Sequence, residues 1–100
     1  MNASVCSLEF DTDTLYPRGR LDFDSVVGIE ARGSAWLRAQ APPQCRVDLS
    51  GLEYANSAAI ALLVSWRRVA ISCQRQLAVV NIPKHLGAII ELVGLEDVLN

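Results

Sequence analysis

The chain has 100 residues, 51% hydrophobic and 20% charged, with a formal net charge of −2. That is the balance of one globular domain on a single core, and it excludes a disordered chain. Beyond the adjacent pair Arg67-Arg68 no Lys/Arg cluster forms, so neither a nucleic-acid footprint nor a polybasic membrane face is expected.

The amino terminus, MNASVCSLEF, lacks the cationic and apolar regions of a secretory signal. Ala58 to Val64 is the longest apolar run and is too short to span a bilayer. Cys6, Cys45 and Cys73 are odd in number and widely spaced, which points to free thiols and not to a disulfide framework or a zinc site. These features predict a soluble, cytoplasmic domain.

In chain order, Ser4–Phe10 alternates with period two and predicts a half-buried strand. Asp11–Thr14 is a turn, and Leu15–Leu21 pairs back as the second strand of a hairpin. Pro17 removes a backbone donor from that strand, which predicts an edge or a bulge there. Asp22 and Asp24 stand where a helix start wants acceptors. Val26, Ile29, Gly33 and Trp36, with Leu37, then form an amphipathic stripe that ends before Ala41-Pro42-Pro43. Cys45–Tyr54 predicts a short third strand running into a glycine-containing loop.

Ser57–Cys73 predicts a second helix, apolar except for a narrow stripe of Ser65, Arg68, Ser72 and Arg75. Gln76–Ile82 reads as an internal fourth strand. Pro83 suits the first turn of a third helix, with Leu86, Ile89, Ile90 and Val93 as its stripe and Gly94 as its stop. The final LEDVLN has no assignable pattern. The order is β-β-α-β-α-β-α: an α/β fold with an N-terminal hairpin and then βαβ units. It predicts a four-stranded, mainly parallel mixed sheet with helices packed on it.

In such a sheet, polar loops gather at the carboxyl ends of the strands. Here that edge collects Asp22-Phe23-Asp24, Leu52–Ser57 and Asn81-Ile82-Pro83. Enzyme constellations are missing from it. His85 has no nucleophile at a motif spacing, and no phosphate-binding glycine loop or nucleophile elbow occurs. Asp48 reads as a strand-end partner for backbone groups, while Glu53 could join Asp22 and Asp24 in a carboxylate cluster. No catalysis, cofactor or metal is expected. Ser57 carries two open readings. It can cap the second helix, stabilising it by roughly 1 kcal/mol. The same first turn, with its positive dipole end, can also favour a phosphate on Ser57, although the residues alone favour the cap.

GRLDFDSV, VDLSGLEYANSAAIALL and LAVVNIPKHLGAIIELVGLEDVL together resemble the STAS domain family, that of anti-sigma-factor antagonists and related regulatory modules. The resemblance covers essentially the whole chain. It implies that Ser57 falls on the position phosphorylated in the antagonists, with Asn56 replacing an acidic residue and Ala59 a glycine. Within the family the chain is most similar to the small subunits of bacterial ABC phospholipid transporters that maintain outer-membrane lipid asymmetry. That branch implies a non-catalytic subunit docked on the cytoplasmic ATPase, peripheral to the inner face of the inner membrane through its partner. The implied docking residues are Asn56, Ser57, Ala58, Asp22, Phe23, Ser65 and Arg68. Arg67 and Trp66 are further anchor candidates, although Trp66, like Trp36, reads as core. The alternative implied by the family is an antagonist phosphorylated at Ser57 by a kinase-like anti-sigma factor.

Overall fold

The computed structural model describes residues 6–95. In order, they form β1 (Cys6–Phe10), β2 (Thr14–Leu21), α1 (Val26–Ala39), β3 (Gln44–Asp48), β4 (Leu52–Ala55), α2 (Ser57–Ser72), β5 (Gln76–Val80) and α3 (Lys84–Leu92). The expected start of the first strand at Ser4 and most of LEDVLN lie outside the described residues. The sheet order is β1-β2-β3-β5, with β4 also lying against β2. β1 and β2 are antiparallel, and every other pairing is parallel.

The sheet has five strands, one more than the four expected. β3 pairs with β2 at Thr14 and Leu15. The chain then leaves β3, passes through Leu49–Gly51 and rejoins β2 at Gly19–Leu21 as β4. The Gly19 N–H donates to Gly51 O at 3.0 Å and guides the return. A four-residue strand behind a glycine loop has too little periodicity to be seen in the sequence.

The same hand-over explains Pro17, which is fully buried in an interior strand and not at an edge. Asp11 N donates to Thr14 O at the hairpin end. Antiparallel alternation from there makes Leu8↔Pro17 a non-hydrogen-bonded pair. The missing N–H of Pro17 therefore faces the gap between β3 and β4, where no ladder needs it.

Leu8, Leu15, Leu21, Cys45, Val47 and Leu77 turn one sheet face toward the helices and join the buried core. The opposite face is solvated, which is uncommon for a largely parallel sheet. It carries the ion pairs Arg18–Glu9 (2.9 Å), Arg20–Asp22 (3.2 Å) and Arg46–Asp13 (3.5 Å), with the Arg20 guanidinium 3.9 Å from the centre of the Tyr54 ring. Exposed pairs of this kind add little stability, roughly 0–1 kcal/mol each. They mainly keep the face wet. The result is a two-layer slab only 19 Å thick in its short dimension.

β5, expected to be internal from its continuous apolar run, pairs only with β3 among the described residues and is an edge strand. Three outward carbonyls on the sheet's free edges are covered by side chains. Arg32 donates to Leu8 O on β1 (3.3 Å), Arg67 to Leu77 O on β5 (3.5 Å), and His85 to Ala55 O on β4 (2.9 Å).

α1 and α2 cross closely because Gly33 has no side chain. The indole of Trp66 lies directly over Gly33 and is fully buried, and its Nε1–H donates to Glu30 O at 3.1 Å. Trp36 is also buried, as its stripe predicts. Gly94 ends α3 in the left-handed region, with φ of 76°.

Candidate functional site

Parallel register brings the carboxyl ends of β2 and β4 together: Leu21 pairs with Ala55, and Asn56 N donates to Leu21 O. The segments after those two strands, beginning at Asp22 and Asn56, are therefore neighbours, as the sequence predicts.

Asp22 is occupied by the fold. Its Oδ1 accepts the N–H groups of Asp24 and Ser25, both at 3.0 Å, while Ser25 Oγ accepts the Asp22 N–H at 3.0 Å. This reciprocal arrangement is a capping box, and it starts the helical turn that leads into α1. The Ser25 N–H does most to hold the Asp22 carboxyl below the usual carboxylate range; partial burial opposes it, and the Asp24 N–H and Arg20 add to the lowering. A carboxyl lowered on folding stabilises fully above its ordinary value of 3.8 and loses that contribution as pH falls toward the folded value. Between about pH 5 and about pH 3, Asp22→Asn should therefore lose less thermal stability than the parent chain, as measured by melting at each pH.

Asn56 caps α2, a role the sequence reading gave to Ser57. Asn56 is extended (φ −116°, ψ −163°) and its Oδ1 accepts the Ala58 N–H at 2.9 Å. Ser57 is the first helical residue. It is exposed, and its hydroxyl makes no hydrogen bond among the described residues. Asn56→Ala should cost about 1 kcal/mol, a fall of about 5 °C in Tm. Ser57→Ala should leave Tm unchanged, and thermal melts of the two variants side by side check the assignment.

The other candidates divide. Phe23 (65% exposed) and its neighbour Val27 (73%) project from the start of α1. Ala58 is buried, so its side chain offers a partner nothing. Ala59 is also fully buried, and the extra methyl relative to a glycine points into the core and away from any partner. Ser65 is turned inward: its hydroxyl and that of Ser34 both donate to Glu30 Oε2 at 2.8 Å, tying α2 to α1. Arg68 is exposed. Trp66 is core, and Arg67 is engaged with the β5 edge.

Two apolar hollows lie along the first turns of α2, and Ser57 lines one of them. One, of about 250 Å³, lies between α1 and α2 and is lined by Val26, Val27, Glu30, Ala61 and Leu62. The other, a groove of about 670 Å³ between α2 and α3, runs from Ser57 past Ile60, Val64 and Arg68 to Ile89 and Val93. Ala61 borders both, so the first turns of α2 form a ridge between them. Neither the ridge nor Val27 stood out in the sequence, because the hollows depend on how three helices are set side by side.

The third segment of the edge is structural. Asn81 takes a left-handed conformation (φ 56°) and donates through Nδ2 to Asp48 Oδ1 at 3.1 Å. Asp48 also accepts the Ser50 N–H at 2.9 Å. Burial works to raise the Asp48 pKa, but the Ser50 and Asn81 bonds outweigh it and the carboxyl sits below its usual range. His85 is exposed, while its Nε2 donates to Ala55 O. Among the described residues no three His, Cys, Asp or Glu side chains are grouped to hold a metal ion, so Asp22, Asp24 and Glu53 do not form such a cluster. Among them, too, no helix is long and apolar enough to cross a membrane.

A family model described as "Mlab, STAS domain" matches residues 6–100. Among solved structures, the chain is similar to the anti-sigma factor antagonist SpoIIAA in its unphosphorylated form, with 19% identity over 92% of this chain and 83% of that one (TM-score 0.71). It is similar to phosphorylated SpoIIAA, a Bacillus cell fate determinant, with 19% identity over 92% and 86% (TM-score 0.67). An anti-sigma-factor antagonist (STAS) domain protein from Planctomyces limnophilus shares 19% identity over 94% and 86% (TM-score 0.72). No curated protein matches the chain. At such identity the structural likeness establishes the fold: an α/β domain with a mixed sheet and an N-terminal strand pair.

Proposed function

The chain belongs to the STAS domain family, through the MlaB-type model that spans residues 6–100, and on that footing we propose that it is a non-catalytic accessory subunit docked on the cytoplasmic ATPase of a bacterial ABC phospholipid transporter. The observation that carries this reading is exposed Ser57, without a hydrogen bond from its hydroxyl among the described residues, at the head of a ridge whose Ala61 borders two apolar hollows, one lined by Ser57 and the other by exposed Val27. A partner helix or loop seated there would bury apolar surface on both sides of the ridge. Such a core within a polar rim is the usual anatomy of a protein interface. The subunit would then sit at the inner face of the inner membrane through its partner, without inserting.

The second reading keeps this surface and makes Ser57 a phosphorylation switch. It is favoured by one feature: the first turn of α2 contains no acidic residue to repel a phosphate. Affinity purification of the tagged chain from solubilised membranes separates the two. Recovery of an ABC ATPase and its permease with unmodified Ser57 supports the first. Recovery of only a soluble kinase-like partner, together with phosphoserine at position 57 by mass spectrometry, overturns it in favour of the second.

A further inference from the structure

At the other end of α2, about 20 Å along the helix from Ser57, lies a cleft of about 480 Å³ between its last turns and the beginnings of β3 and β5. Arg67 and Arg75 line it, with Ala70, Ile71 and Leu77 supplying apolar walls, and among the described residues no carboxylate lines it. Both arginines are half-buried. The ion pairs among the described residues involve Arg18, Arg20 and Arg46, not these two. From Glu53 to Glu91 the sequence has no acidic residue between those two ends.

Backbone carbonyls hold both guanidinium groups in place. Arg67 Nη1 donates to Leu77 O at 3.5 Å, Arg75 Nε to Leu37 O at 2.9 Å and Arg75 Nη1 to Cys73 O at 3.3 Å. Each guanidinium has five N–H donors, so most remain available. Two half-buried positive charges in a concave site with apolar walls concentrate their field on the cleft. Tethering lowers the entropy lost when a ligand binds.

We propose that this cleft binds a phosphate oxyanion. Two guanidinium groups match the charge and the several oxygens of a phosphate monoester. Exposed Ile71 at the cleft can take a short alkyl substituent. The site is separate from the Ser57 surface and does not depend on the partner proposed there.

The test is a titration of the ¹⁵N-labelled full chain with inorganic phosphate and with monobutyl phosphate, against sodium chloride at matched ionic strength. Saturable shifts confined to the amides of Ala70, Ile71, Gln76 and Leu77, and weakened about tenfold or more in Arg67→Gln, support the site. Co-sedimentation with phosphatidate vesicles, lost in the same variant, would identify the source as a lipid headgroup; binding of the soluble phosphates without the vesicles would identify it as a free phosphate. Shifts that never saturate, that chloride reproduces, or that persist unchanged in a folded Arg67→Gln variant overturn the proposal. Arg75 is left intact because its bonds to Leu37 and Cys73 belong to the fold.

Discussion

Gly33→Ala is expected to destabilise the domain by about 2 kcal/mol, a drop of about 10 °C in Tm. A methyl group at Gly33 would stand 2.6 Å from Trp66 Nε1 and closer still to Cζ2 and Cε2 of the same ring. The indole is fully enclosed, so it has nowhere to go without disturbing Leu62, Leu63 and Leu37 of the same core. Moving it also strains its bond to Glu30 O. Working the other way, alanine is the better helix former by about 1 kcal/mol, and overpacking has to exceed that gain. Gly28→Ala supplies the control on the same helix. A methyl there meets nothing within 4 Å, so the propensity gain stands alone and Tm should rise. Adding Trp66→Phe to Gly33→Ala should recover part of the loss, a coupling a double-mutant cycle measures. If the two glycine substitutions shifted Tm equally, the close crossing of α1 and α2 would not be what Gly33 is for.

Ser57→Glu should weaken partner binding by about 3 kcal/mol, on the order of 100-fold, with no loss of Tm. The fold tolerates the change because Ser57 forms no bond it needs and because a negative charge at the first helical position is favoured by the helix dipole. A bound partner, by contrast, would enclose an unpaired carboxylate at the end of the apolar groove that Ser57 lines. Ser57→Ala is the reference and should bind within about 0.5 kcal/mol of the parent chain. Calorimetry with the purified ATPase reads both. Equal affinity of Ser57→Glu and Ser57→Ala would move the interface elsewhere on the domain.

Much of this molecule was visible before its fold. Periodicity located β1, β2, α1, α2, β5 and α3, and the carboxyl-end rule brought Asp22 and Asn56 together, because these depend on local pattern and on topology. What escaped depends on particular contacts. Asn56 and Ser57 are both good caps, and only the backbone angles decide that Asn56 holds the position. Ser65 belongs to a polar helical stripe that looks solvated in sequence, yet it meets Glu30, a residue 35 positions away. β4 was hidden because its pairing partner is the second half of a strand already counted. Pro17 suggested an edge or a bulge because sequence cannot show that a buried strand changes neighbours there. The family resemblance located Ser57; it could not show that its hydroxyl is free.

The side chains over Leu8 O, Leu77 O and Ala55 O bear on how this small domain coexists with others of its kind. An incoming β-strand from a neighbouring chain would have to dislodge Arg32, Arg67 or His85 before it could form a full ladder. Sheet borders are where polymerisation begins. A domain that offers an apolar ridge to a partner, as proposed above, is exposed to misassociation at high concentration. Guarding the borders directs its stickiness to the helical layer, where recognition depends on shape, and away from the backbone, where almost any extended peptide would fit.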